Sequence, residues 1–71
     1  MESKYKLSTV GVSLAVRGLP VEIAEKIIYG NGYECRVMSK DHKSFMIEMD
    51  ESNSRINIII MAGIVTDAHP Y

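Results

Sequence analysis

Four side chains of types that bind metal ions could be brought together by folding: Cys35, Asp41, His42 and His69. Zinc sites in proteins usually take their cysteine and histidine ligands in closely spaced pairs. The sequence has no such pairs, and Cys35 belongs to an alternating segment that points it toward the protein interior. The sequence therefore predicts no metal site and no other cofactor.

Nucleophilic catalysis would need Cys35 or Ser44 as the nucleophile and His42 as its base. An activated nucleophile also needs a third group that orients the base, and no residue pattern indicates one. A chain of 71 residues forms one domain with one small core, which is too little to wall off a deep active site. We therefore do not expect an enzyme.

A short basic stretch is the candidate contact for an anion. Lys40, His42 and Lys43 lie close together in the sequence, and Arg36 comes shortly before them. These residues could bind a small anionic ligand or form an ordinary solvated loop, which is the commoner role of such a stretch. The whole chain has 8 Lys and Arg against 9 Asp and Glu, for a net charge of −1. A nucleic-acid polymer is therefore not an expected partner, because it requires clustered positive charge.

The hydrophobic pattern predicts the elements that would position these residues. Residues 6–16 alternate Val10, Val12, Leu14 and Val16 with smaller residues, which indicates an extended arm or strand. From Val21 to Ile28 the apolar spacing changes to that of a helix, which Gly30–Gly32 would end.

Three further stretches alternate or are rich in β-branched residues, as strands are. These predicted strands are Tyr33–Met38, Arg55–Met61 and the short edge strand Ile64–Thr66, and Phe45–Met49 is a further extended segment. Ser39–Lys43 is predicted to be a polar loop.

The predicted fold is α+β, with a small mixed sheet of three to four strands and one helix packed across it. The chain is predicted to form a single domain over residues 1–71, divided into an arm or strand (1–16), a core (17–67) and a tail (68–71).

Four consecutive apolar residues, Ile58–Met61, put apolar side chains on both faces of the strongest strand. One helix covers only one face of a small sheet. The other face needs the N-terminal arm, a second subunit or a ligand, so a homo-oligomer formed through this strand is one expectation.

The N-terminal residues lack the compact apolar stretch of a signal peptide. No stretch of about 18 apolar residues, the length needed to span a membrane, occurs in the sequence. The expected location is therefore the cytoplasm, with no membrane partner.

Three short sequence patterns follow one another within residues 16–67. Val21–Ile28 contains V-E-x-A-x-K-x-I, Met49-Asp50 and Arg55–Ile58 correspond to M-D-x-x-x-x-R-L-N-V, and Gly63–Thr66 corresponds to G-x-I-T. In this order and spacing the chain resembles the potato inhibitor I family. It is still more similar to the small bacterial relatives of that family, which inhibit serine proteases.

The resemblance implies a loop over residues 48–55 that enters a protease cleft as a substrate would. Met49 would enter the specificity pocket, and Asp50 would follow the scissile bond. Arg55 would support the loop, and Asn57 stands where many members of the family have a second supporting arginine. The implied inhibitory loop consists of Glu48, Met49, Asp50, Glu51 and Ser52. Methionine suits serine proteases with an apolar pocket.

The residues themselves leave other roles open. The polar stretch Asp50–Ser54 is either this loop or a simple turn, because its side chains favour turns. Met49 is either a pocket anchor or a core residue, and Arg55 either clamps the loop or lies exposed at the start of a strand. In a second function hypothesis, the same scaffold is a homo-oligomeric cytoplasmic binding module that sequesters a small anionic ligand or a partner protein.

Overall fold

The described part of the chain is a small α+β domain with two helices and a four-stranded mixed sheet. The computed structural model describes residues 7–45 and 54–70. The elements in chain order are α1 (Thr9–Val16), α2 (Val21–Gly30), β1 (Glu34–Lys40), β2 (Lys43–Ser44), β3 (Arg55–Met61) and β4 (Ile64–Pro70). The predicted fold class and mixed sheet are confirmed, but the prediction of one helix is wrong, because α1 is a second one.

The sheet has the strand order β2-β1-β3-β4. The strands β1 and β3 are parallel neighbours, and β2 and β4 pair with them in antiparallel fashion. The parallel pair is irregular at one point, where the register shifts between Val37 and Ser39. Because β3 lies between β1 and β4 in this order, it is paired along both of its edges.

The prediction of an extended arm or strand over residues 6–16 is wrong for Thr9–Val16, which form α1. The hydroxyl of Ser8 caps this helix by accepting a hydrogen bond from the backbone N–H of Gly11 at 3.1 Å. Val12 and Val16 are both fully buried. They lie four residues apart, a spacing that fits one face of a strand and one face of a helix equally well, so the period-two pattern was ambiguous.

The helix predicted from Val21 is confirmed as α2, with Ala24 and Ile28 fully buried. Asn31 ends it, because its side-chain amide donates to the carbonyl of Ile27 at 2.8 Å. Gly32 follows with a φ of +81°, a conformation that glycine adopts without strain.

The stretch predicted as a polar loop is a tight hairpin between β1 and β2. Asp41 and His42 both have positive φ (52° and 71°), as a two-residue turn of this kind requires. Ala62 and Gly63 form the same kind of turn between β3 and β4, with φ of 53° and 79°. The Asp41 carboxylate accepts from the backbone N–H of Ala62 at 2.7 Å, which ties the two turns together at one end of the sheet.

The short edge strand and tail predicted at the C-terminal end form one longer strand, β4, which continues to Pro70. Arg17 holds its outer edge by donating from Nε and Nη2 to the carbonyl of Ala68 at 3.2 and 2.8 Å. The same guanidinium pairs with Asp67 at 3.3 Å. Val65 exchanges backbone hydrogen bonds with Gly18 and Leu19. These contacts cover much of an edge that could otherwise pair with another chain.

The core lies between the two helices and one face of the sheet. Its fully or nearly fully buried residues are Val12, Val16, Ala24, Ile28, Ile56, Ile58, Ile60, Val65 and Ala68. Side chains alternate along β3, so Arg55, Asn57, Ile59 and Met61 project from the opposite face, here called the outer face. Both faces of β3 thus carry apolar side chains, as the run Ile58–Met61 predicts.

Candidate functional site

The start of β3 is tied to the start of β1. The backbone N–H of Glu34 donates to the carbonyl of Ser54 at 2.7 Å, and Glu34 lies in register with Arg55. The Nε atom of Arg55 is 3.9 Å from the Glu34 carboxylate. The Arg55 side chain is only 14% exposed, while that of Glu34 is 73% exposed. Arg55, at the end of the connection, is therefore largely shielded from water at the start of β3.

A second tie joins the same two strands one step further along. Arg36 of β1 lies in register with Asn57 of β3, and its Nε donates to Asn57 Oδ1 at 3.0 Å. Asn57 is only 1% exposed although it projects from the outer face. Burial of an amide without hydrogen bonds is costly, and none of the buried side-chain polar atoms among the described residues lacks a partner.

The residues predicted to form the inhibitory loop, Glu48–Ser52, lie outside the described residues. The described chain on either side of them is anchored to β1. Phe45 donates its backbone N–H to the carbonyl of Met38 at 3.0 Å, and Ser54 accepts from Glu34. Both flanks of residues 46–53 are therefore attached to the same strand.

The charges of the outer face and of the connecting segment are complementary in sign. Residues 46–53 include three carboxylates, Glu48, Asp50 and Glu51, and no lysine or arginine. On the outer face, Arg36 and Arg55 occupy adjacent strands next to the chain's return into β3.

Sequence reasoning grouped Arg36 with the basic residues that follow it, and the structure separates them. Lys40, His42 and Lys43 are exposed at the β1–β2 turn, where Lys40 lies directly opposite Lys43. Arg36 is in register with Asn57, whereas Lys40 is in register with the core residue Ile60. The two side chains thus project from opposite faces, and an anion could contact the three turn residues together but not Arg36 with them.

The residues considered for a metal or nucleophilic site lie in three separate places. Cys35 packs against the core, Asp41, His42 and Ser44 lie in the β1–β2 hairpin, and His69 lies opposite Asn57 in β4. Across residues 7–45 and 54–70, no three His, Cys, Asp or Glu side chains converge to hold a metal ion.

Burial raises the pKa of the Cys35 thiol to about 11, and the charge of Glu25 contributes further to this increase. A raised pKa disfavours the reactive thiolate. Cys35 is the only cysteine of the chain, so its reactivity can be followed directly.

We expect Cys35 to react with iodoacetamide about 100-fold more slowly at pH 8 in the native protein than in the unfolded chain. The reason is that a pKa two units higher leaves about 100-fold less thiolate. Labelling with and without guanidinium chloride, followed by mass spectrometry, gives the two rates. Equal rates would contradict the packing of Cys35 against the core.

The helices of the described residues, α1 and α2, have eight and ten residues, and neither is long and apolar enough to cross a membrane.

Comparison of the chain with protein-family models, with curated proteins and with solved structures found no match.

Proposed function

We propose that this chain is an inhibitor of serine proteases that presents residues 48–55 to the protease cleft. One observation carries the proposal. The connection between the parallel strands β1 and β3 returns to the sheet at a doubly fixed base, through the Glu34–Ser54 backbone bond and the Arg36–Asn57 pair. Fixing the end at which a segment returns to the sheet lowers the conformational freedom that the segment loses on binding a protease.

In this proposal the residues of the loop have distinct roles. Met49 fills an apolar specificity pocket of the protease, and Asp50 follows the scissile bond. Arg55, held against the sheet and largely shielded from water, pairs with Asp50 and keeps the loop from moving away after cleavage. A charge-assisted bond between guanidinium and carboxylate is among the strongest available for this purpose. The inhibitor itself contributes no catalytic group.

The resemblance to the potato inhibitor I family and its bacterial relatives supports the same proposal. The pattern places a helix before the first parallel strand, and α2 directly precedes β1. It also assigns the supporting positions to Arg55 and Asn57, which both project from the outer face of β3.

The experiment is a stoichiometric challenge with subtilisin, a serine protease with an apolar pocket. Light scattering should show a stable 1:1 complex, and titration of the residual activity should reach its end point at one inhibitor per protease. Subtilisin blocked covalently at its active-site serine is the control and should form no complex. Digestion of the chain without loss of protease activity would overturn the proposal.

A second candidate is a self-associating module that binds an anionic ligand or a partner protein. It is favoured by the outer side of α1, where Val10 and Leu14 are 55% and 61% exposed, and by Leu7 just before the helix, which is 42% exposed. A helix that is apolar on all sides usually has a partner on each of them. The light-scattering measurement without protease tests this candidate, because a monomer at high micromolar concentration would contradict it.

A further inference from the structure

We infer that Arg36 is a positioning residue for the chain's return into β3 at Ser54 and Arg55, and that it acts through Asn57. This inference rests on the proposed inhibitory function. Arg36 is among the anion contacts that the sequence predicts, but it is joined to Asn57 and separated from the other residues of that group.

Burial makes Asn57 dependent on its hydrogen-bond partners. Its side chain is 1% exposed on the outer face, away from the core packed by the helices, so its amide oxygen depends on protein donors. Arg36 Nε supplies one at 3.0 Å. The bond joins residues 21 positions apart in the chain, and it bridges the parallel strands β1 and β3.

The Arg36–Asn57 bond lies close to the chain's return into β3. Asn57 is two residues from Arg55 and three from Ser54, where the chain enters β3. The Arg36–Asn57 pair and the Glu34–Ser54 bond are successive ties between β1 and β3. Together they fix the position and direction of the chain at its return into the sheet. The ion pair of Arg55 with Glu34 at 3.9 Å is a longer contact beside them.

Arginine is chemically suited to this role. A guanidinium has five N–H donors in a rigid planar fork, so it can hold the Asn57 amide and interact with further acceptors at the same time. A methionine of comparable length offers no such donor.

The test compares Arg36→Met with the matched variant Lys40→Met, which removes a charge from the exposed end of the same strand. Two quantities are measured with subtilisin: the inhibition constant, and the rate of cleavage of the bound inhibitor followed by mass spectrometry. We expect Arg36→Met to raise both about tenfold to a hundredfold, since hydrogen bonds to charged groups are the stronger ones. Lys40→Met should change neither by more than about twofold.

Urea unfolding separates positioning from stability. The inhibition constant and the cleavage rate are compared under conditions in which every variant is more than about 95% folded. Faster cleavage of a fully folded Arg36→Met variant supports positioning, and a lower unfolding midpoint with unchanged inhibition and cleavage overturns it. If Arg36→Met does not fold, Arg36→Lys replaces it, because lysine keeps the charge but not the planar fork.

A double-mutant cycle with Asn57→Ala tests whether Arg36 acts through Asn57. The effects of the two substitutions on the inhibition constant should be strongly non-additive, and additive effects would overturn that part of the inference. If the unaltered chain does not bind subtilisin, the proposed function itself fails. If it binds, and Arg36→Met behaves like Lys40→Met, only the role of Arg36 is overturned.

Discussion

Replacing Met49 by aspartate is expected to weaken the binding of subtilisin about 1,000-fold. In the proposed complex the Met49 side chain lies in an apolar pocket that excludes water. A carboxylate in that pocket loses its hydration without gaining a partner, at a cost of several kcal/mol, and each 1.4 kcal/mol corresponds to a factor of ten in affinity. Titration of the residual protease activity with each variant gives the two inhibition constants.

The matched control for Met49→Asp is Ile23→Asp. Ile23 is 45% exposed in the first turn of α2, where a negative charge is favourable to the helix dipole. This replacement of an apolar side chain by aspartate should alter inhibition by no more than about twofold. If Met49→Asp inhibits as well as the unaltered chain, Met49 does not enter the pocket, and the loop assignment fails.

Replacing Ile58 by alanine is expected to lower the free energy of unfolding by about 3 kcal/mol. Ile58 is fully buried in β3, which has β1 on one side and β4 on the other. The substitution removes buried apolar surface and leaves a cavity that the flanking strands cannot close. For a domain of this size that is a large part of the total stability. Urea unfolding followed by circular dichroism measures the loss.

Ile59→Ala provides the control for this prediction, because it makes the same change one residue further along the strand. Ile59 projects from the outer face and is only partly buried. Its replacement should lower the free energy of unfolding by about 1 kcal/mol. Equal losses from the two substitutions would contradict the assignment of Ile58 to the helix-covered face.

The parts of the fold that were predictable are those whose signals are local. The apolar stripe of α2 and the residues that end it lie within a dozen positions. The β-branched run of β3 is equally local, and its seven residues, Arg55–Met61, form a strand as predicted. In both elements the intrinsic preference, the hydrophobic period and the terminating residues agree, so tertiary contacts had nothing to override.

Where local signals conflict, tertiary packing determines which secondary structure forms. The valines of α1 favour strands by intrinsic preference, yet Val12 and Val16 fill the core from a helix that Ser8 caps. The two-residue turn at Asp41 and His42 does not contain one of the glycine-containing pairs that usually indicate a hairpin. Its geometry is supported by the contact of Asp41 with Ala62, 21 residues away.

The candidate site also has a part that was predictable from the sequence and a part that depended on tertiary contacts. The amino-acid order shows which residue types are available: two arginines and an asparagine in the segments predicted as strands, and an acidic segment between them. It could not determine which arginine meets the asparagine, because the pairing of parallel strands depends on a register set by contacts distant in the chain. Tertiary structure placed Arg36 beside Asn57 and apart from Lys40, and it buried the asparagine amide, so that the pair became part of the base of the connection.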